Sequence, residues 1–294
     1  MSKQAVKDVF EVALKVESSK DGNSEILKEF LNEIGIECHS IVEYETWPNT
    51  YLSLYFQSEE KARALRKKLK AFHLKNVSVL LKRLRKDDWQ TKWKKEFKPF
   101  CLTKSFGVVP MWLRKKYRFR GRKPLYIDTD LAFGTGMHAT TRFMAQFVER
   151  CAGQFNSFLD VGTGTGILAM IAFKCHADDV MAIDISPEAV AVAKSNCIIN
   201  DCASINVKVL DVQKIKSKKR YDFVCANIIT QDLISMAKKI ISLVKPGQYL
   251  AVSGISLNSY DVFRQAYAQY PLRCVKIEKG EGWVAILYKK LLES

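Results

Sequence analysis

The spacing of hydrophobic positions changes part-way along the chain. From residue 9, VFEVALKV alternates apolar and polar residues, the period of a half-buried strand. NSEILKEFLNEIG then places Ile26, Leu27, Phe30, Leu31 and Ile34 on one helical face, with Asn23 or Ser24 as cap and Gly35 beyond the end. IECHSIVEYE and TYLSLYFQ predict two strands joined across TWPN. SEEKARALRKKLKAF predicts a helix with acids in its first turn, where the dipole favours them, and VSVLLKRL a last strand. The order βαββαβ predicts a small ferredoxin-like α+β domain over residues 1–85.

Residues 86–125 have no clean period. Trp89, Trp93, Phe97, Pro99, Phe100, Pro110 and Trp112 are spread among many bases. The segment reads as a linker whose aromatics cover a joint between domains; stacking on nucleotides is the other reading.

From about residue 126 to 294 strands and helices alternate. SFLDV, DVMAIDI, INVKVL, YDFVCAN and QYLAVSGI read as strands. GILAMIAFKCH, SPEAVAVAKSNCIIN, TQDLISMAKKIISLV (ended by KPG) and NSYDVFRQAYAQY read as helices. LRCVKIEKG and WVAILYKK close the chain. Repeated βα units predict a mostly parallel, Rossmann-like α/β domain of seven strands with helices on both faces. The short connection at Glu281-Gly282 predicts that the last two strands form an antiparallel hairpin.

Composition narrows the class. The chain has 294 residues, 48% of them hydrophobic, enough for two cores. No apolar run approaches the ~20 residues that span a membrane, and charges interrupt the N-terminal apolar positions, so a cytoplasmic protein is expected. The eight cysteines form no C-x-x-C pair, which argues against zinc and for reduced thiols used as small core residues. A monomer is the expected state. The net charge is +16, and residues 61–123 alone hold 23 Lys and Arg against three acids, a local +20. Such a block predicts a nucleic-acid-rich or otherwise acidic partner, or a merely solvated surface.

The chemistry centres on LDVGTGTG. Gly162, Gly164 and Gly166 fall between a predicted strand and helix, where they let a ligand approach the backbone and the helix start offers free N–H groups. Asp184 ends the next strand, placed to accept both hydroxyls of a ribose. Gly164-x-Gly166-x-x-Ala169 satisfies a dinucleotide pattern, but Asp160 stands two residues before Gly162. A carboxylate there suits an ammonium or sulfonium ligand better than a pyrophosphate, and S-adenosylmethionine carries both cations. Asp211, after the third strand, is placed near an adenine edge. Asn227 ends the fourth strand, at the carboxyl edge where open α/β sheets bind ligands. It resembles the Asn-Pro-Pro-aromatic corner of amino-methylating enzymes, with Ile228 and Ile229 in place of the prolines.

The motifs WQTKWKKEFKPF, LAFGTGMHATT, LDVGTGTGILA, DISPEAV, ANI and SGI, in that order, resemble the ribosomal protein L11 methyltransferase family (PrmA) over roughly residues 86–290. The resemblance implies a small N-terminal domain that recognises a protein substrate, a linker, and a Rossmann-like domain that transfers methyl groups from S-adenosylmethionine to lysine ε-amines and an α-amine. It implies cofactor contacts at Thr141, Gly162, Asp184 and Asn227, with Phe133 lying against the cofactor and Gly134 and Gly136 allowing close approach. Asp160 and Gly164 join that set from the residue reading, and Asn227 is the candidate catalytic residue. His138 is the one histidine in a motif and a weak candidate for a direct role. The chain departs from the family at Thr129-Asp130, where Pro-Gly is usual, at Met137 and Ala139 beside His138, and at NIIT. A lysine-rich ribosomal substrate and a +20 segment repel each other, so under the resemblance the basic block either meets ribosomal RNA on an assembling particle or faces away from the substrate. Methylation of RNA or of another protein's lysines, a non-catalytic ribosome-assembly binder and a nicotinamide oxidoreductase are the competing readings.

Overall fold

The computed structural model describes residues 9–17, 41–46, 49–56, 58–71, 77–84, 98–128, 136–216 and 218–292. The chain divides into two compact units, Met1–Lys98 and Pro99–Ser294.

In the first unit, β1 (Val9–Glu17), β2 (Ile41–Thr46), β3 (Asn49–Phe56) and β4 (Val77–Leu84) form one antiparallel sheet in the order β2-β3-β1-β4. Helix α1 (Glu59–Ala71) turns Ala62, Leu65 and Leu69 inward. They share a core with Phe10, Val12 and Leu14 of β1 and Leu52 and Leu54 of β3. The period-2 and period-3.6 patterns thus meet on one sheet face. The helix expected over residues 23–35 lies outside the described residues.

The second unit opens with a sheet that the sequence reading placed in a linker. Strands β5 (Phe100–Cys101), β6 (Phe106–Pro110) and β7 (Lys123–Ile127) pair in the order β5-β6-β7, β6 and β7 being parallel. Every residue of β6 is buried. FGVVP is too short and too uniformly apolar to show a period, so its burial is a tertiary fact.

The main sheet has the order β10-β9-β8-β11-β12-β14-β13. Its strands are β8 (Ser157–Val161), β9 (Asp179–Asp184), β10 (Asn206–Val209), β11 (Tyr221–Asn227), β12 (Val244–Ser256), β13 (Leu272–Gly280) and β14 (Trp283–Lys290). The first five are mutually parallel where they pair, and β14 runs antiparallel between β12 and β13. The expected hairpin is present: Glu281 and Gly282 take φ of 52° and 80°, the left-handed pair that a two-residue turn requires. Strand order reverses between β8 and β11, so a crevice opens at their carboxyl ends.

Helices α2 (Ala139–Arg150), α3 (Ile167–Lys174), α4 (Pro187–Ile199), α5 (Thr230–Ser235), α6 (Ala237–Ser242) and α7 (Tyr260–Tyr267) cover the sheet. The single helix expected over TQDLISMAKKIISLV is interrupted at Met236, whose φ and ψ of −99° and 4° leave the helical region. KPG does not terminate it as expected; β12 already begins at Val244. The β11–β12 register shifts between Tyr221 and Phe223, and the extra residues of β12 accommodate Lys245-Pro246-Gly247. Of the cysteines among the described residues, Cys151, Cys175, Cys197, Cys202 and Cys225 are buried and Cys101 and Cys274 exposed; Cys38 lies outside them. Burial pushes the thiol of Cys151 up to about 11 and that of Cys197 up to about 12, which keeps both protonated and unreactive.

Candidate active site

The crevice is built by four chain segments. The first is the loop after β8. Gly162, Gly164 and Gly166 have φ of 72°, 54° and 82°, all left-handed. Three such residues in five turn the chain sharply enough that the N–H groups of Gly162 and Thr163 both reach the Ile183 carbonyl, at 2.9 and 3.0 Å. The loop is thereby tied to the end of β9. A side chain at any of the three would be strained.

Asp184, at that end of β9, reinforces the tie. One carboxylate oxygen accepts the Gly164 N–H at 3.0 Å and the other accepts the Ser186 N–H at 3.0 Å. Ser186 caps α4 through the Ala189 N–H, and Pro187 opens the helix. Ile185, between them, is 77% exposed. An apolar side chain held in water beside Asp184 offers a contact for the flat face of a ligand ring; the sequence reading absorbed it into the strand. Asp211 caps a short 3₁₀ turn through the Gln213 N–H at 2.9 Å, and Leu210 N–H bonds the Asp184 carbonyl, which sets Asp211 next to that strand end.

The third segment is the Asn227 corner. Ala226 pairs with Val161 on β8 and Asn227 with Ser253 on β12, so Asn227 stands level with the start of the glycine loop. It is half-buried, and among the described residues none hydrogen-bonds its side chain. The next residue, Ile228, is gripped from two sides. A Cβ on Gly162 would meet Ile228 Cγ2 at 2.5 Å, and a Cβ on Gly254 would meet the Ile228 carbonyl oxygen at 2.0 Å. The Thr230 hydroxyl bonds the Gly254 carbonyl at 3.2 Å. Two residues without side chains therefore fix the corner in the place where related corners use prolines.

The fourth segment starts α2. His138 is its N-cap: Nδ1 accepts the Thr140 N–H at 3.4 Å and lies 2.7 Å from the Thr140 hydroxyl. Its ring meets Trp283 edge-on, centroids 5.0 Å apart. Capping and packing account for His138 without a step in the chemistry. Trp283 carried no motif and was missed; it reaches this place only because β14 inserts beside β12. Arg142 binds the Met137 carbonyl and the Glu281 carboxylate, tying the start of α2 to the β13–β14 turn. Phe133 and Gly134 lie outside the described residues.

Two buried polar atoms in this region have no hydrogen-bond partner: Thr141 Oγ1 and Asp160 Oδ1. Thr141 and Asp160 are each 1% exposed. Leaving such groups unpaired costs about 1–3 kcal/mol apiece, so they point to ligand groups that complete them. Asp160 Oδ2 accepts the Thr163 hydroxyl at 2.7 Å. Burial, helped by the nearby Asp184 charge, pushes the Asp160 carboxyl up to about 7, against the lowering effects of the Thr163 hydroxyl and the Ala169 backbone N–H. A buried carboxyl on the verge of ionising next to a glycine loop is the chemistry that a cationic ligand stabilises. The donor set therefore fits S-adenosylmethionine: a ribose acid, a glycine cradle, an anionic group for its cations and a free hydroxyl.

The model of the family described as ribosomal protein L11 methyltransferase (PrmA) matches residues 5–291. A relative named ribosomal protein L11 methyltransferase in Lactobacillus gasseri is 31% identical, covering 94% of this chain and 97% of the relative. One of the same name in Geobacter metallireducens is 33% identical over 70% of this chain and 67% of its own length. The crystal structure of a ribosomal protein L11 methylase from Lactobacillus delbrueckii subsp. bulgaricus superposes with a TM-score of 0.62 at 26% identity, covering 66% of this chain and all of that one. With the glycine loop, Asp184 and the Asn227 corner assembled at one sheet edge, the chain belongs to the ribosomal protein L11 methyltransferase (PrmA) family of S-adenosylmethionine-dependent protein methyltransferases.

Proposed function

We propose that the chain methylates the lysine ε-amines and the α-amine of ribosomal protein L11, with Asn227 orienting the incoming nitrogen. The observation that carries the reading is the half-buried Asn227, fixed at the crevice by the Ile228 grip, with no side-chain partner among the described residues. Bound S-adenosylmethionine would supply a methyl group on a sulfonium: as the amine nitrogen takes the methyl, the carbon–sulfur bond breaks and the neutral thioether S-adenosylhomocysteine leaves. Asp184 holds the ribose hydroxyls, Asp160 faces the cationic end, and the Gly162 and Gly164 backbone lets the donor lie close. Ile185 packs on the adenine. Thr141 would complete its hydrogen bond on the donor. The Asn227 side-chain carbonyl accepts a hydrogen bond from the amine and aims its lone pair. A free lysine has a pKa of ~10.4 and must lose a proton first. Desolvation at the crevice lowers that value, and the proton leaves to water.

The first unit is assigned to substrate recognition. Its antiparallel order β2-β3-β1-β4, with α1 on one face, supports a ferredoxin-like module. Mass spectrometry of purified L11 after incubation with the enzyme and labelled donor tests the function. Label on the N-terminal amine and on lysines is expected; unlabelled L11, with label on another ribosomal component, would overturn the substrate.

The Asp160 assignment makes a pH prediction. Its folded pKa, about 7, lies above the ordinary carboxylate value of ~3.9. Between those values the folded chain holds a proton that the unfolded chain has lost. Stability is therefore fully supported by this group below about pH 4 and declines as pH rises towards 7. Donor binding has the opposite sign, because the cation prefers the carboxylate. Donor affinity measured by calorimetry should rise from pH 6 to 7.5, and Asp160→Asn should flatten that rise. An unchanged pH profile in the variant would remove Asp160 from the cation site.

A further inference from the structure

We propose that the surface formed by residues 114–123 is an RNA-binding strip, separate from the transfer site. Seven of these ten residues, RKKYRFRGRK, are bases, and the sequence holds no Asp or Glu from 97 to 127. The stretch connects the parallel strands β6 and β7. Backbone oxygens shape it: Arg114 N–H bonds Met111 O at 3.0 Å, and the N–H groups of Lys116 and Tyr117 both bond Leu113 O at 2.9 Å. Arg118 reaches back to the carbonyls of Arg114 and Tyr117, and Arg122 Nε donates to Thr103 O at 3.2 Å. The Phe119 ring lies on Gly107, where a Cβ would meet it at 2.2 Å, and Tyr117 meets Phe119 edge-on at 5.1 Å.

These bases are held by uncharged groups. Among the described residues none of the seven forms an ion pair, whereas Arg142, Lys219 and Lys245 each have a carboxylate. Lys115, Lys116, Arg118, Arg120 and Lys123 are exposed. A braced row of like charges with no internal counter-charge is costly in the free protein and is relieved by a polyanion. Arginine is frequent in it, and the guanidinium fork matches phosphate oxygens. The aromatic rings are engaged in packing, so recognition rests on backbone charge. None of the exposed large hydrophobic residues falls within 114–123, which gives a lipid surface nothing to take up. RNA, with one phosphate per nucleotide along its backbone, is the polyanion that this strip suits. The strip also resolves the charge conflict: it serves the RNA, not the lysine-rich protein.

The test uses the full chain and a fluorescein-labelled 30-nucleotide ribosomal RNA hairpin, by anisotropy from 50 to 250 mM salt. With four to five phosphates neutralised, log affinity should fall with log salt at a slope of about −3 to −4. The triple variant Lys115→Gln, Lys116→Gln, Arg120→Gln removes exposed bases that brace nothing. Its Kd should rise at least tenfold at 100 mM salt, and its slope should shrink by about 2. Unfolding temperature and methylation of free L11 should stay at wild-type values. Equal affinity of variant and wild type would overturn the proposal. So would binding of polyglutamate or of phosphatidylserine vesicles as tight as that of RNA.

Discussion

Asn227→Ala should lower kcat about 100- to 1000-fold while donor affinity changes less than about threefold. The corner that holds Asn227 does not depend on its amide: the Ile228 side chain lies on Gly162, the Ile228 carbonyl on Gly254, and Asn227 pairs with Ser253 on β12. Removing the amide leaves that frame intact, so the donor loop and Asp184 keep their places. What is lost is the acceptor that points the amine at the methyl group. Interactions made only as the nitrogen attacks appear in kcat, whereas shared binding appears in KM or Kd. Single-turnover kinetics with calorimetry of the donor separates the two. Equal losses in turnover and donor affinity would show that Asn227 holds the donor and does not position the amine.

The largest structural effect should come from Gly254→Ala. The new Cβ would stand 2.0 Å from the Ile228 carbonyl oxygen and 2.7 Å from its carbonyl carbon, at a φ of 87°. Both obstacles are backbone, so no rotamer relieves them. The left-handed conformation alone costs about 1–2 kcal/mol for an L-residue. Displacing the corner adds to that, for a total of about 3 kcal/mol. In a unit of this size the unfolding temperature should fall by roughly 6–12 °C. Activity should fall with it, because the residue that moves adjoins Asn227. Gly121→Ala is the control: φ there is 73°, but nothing lies within 4 Å of the added Cβ. Its loss should be confined to the conformational part. Scanning fluorimetry of the two variants checks this; equal shifts would mean that the Ile228 contact carries no weight.

Much of the site was legible because its requirements are local. Glycine is the residue that takes a positive φ without strain, and three in five residues after an apolar strand announce a ligand loop. An acid at the next strand end is likewise a feature of one segment. His138 was legible as a motif but not in its job, since only the helix start shows that it caps Thr140. Ile185 was hidden because an apolar residue at a strand end looks like core until its exposure is seen. Trp283 and Gly254 sit far along the chain from the residues they meet. Residues 114–123 were visibly basic from composition, but whether carboxylates neutralise them depends on which residues the fold brings near.

The sequence by itself determined the βα alternation, the glycine loop, Asp184, Asn227 and the closing hairpin. Each follows from a period, a turn residue or a strand end, which are short-range constraints on one stretch of backbone. Only the tertiary structure decided that FGVVP is a buried strand, that Met236 interrupts a helix, and that β14 brings Trp283 to His138. It also decided that Gly162 and Gly254 close on Ile228 and that Asp160 is buried deeply enough for its carboxyl to be pushed up to about 7. These depend on solvent exclusion and on contacts between residues distant in the chain, and neither quantity is a property of any single segment.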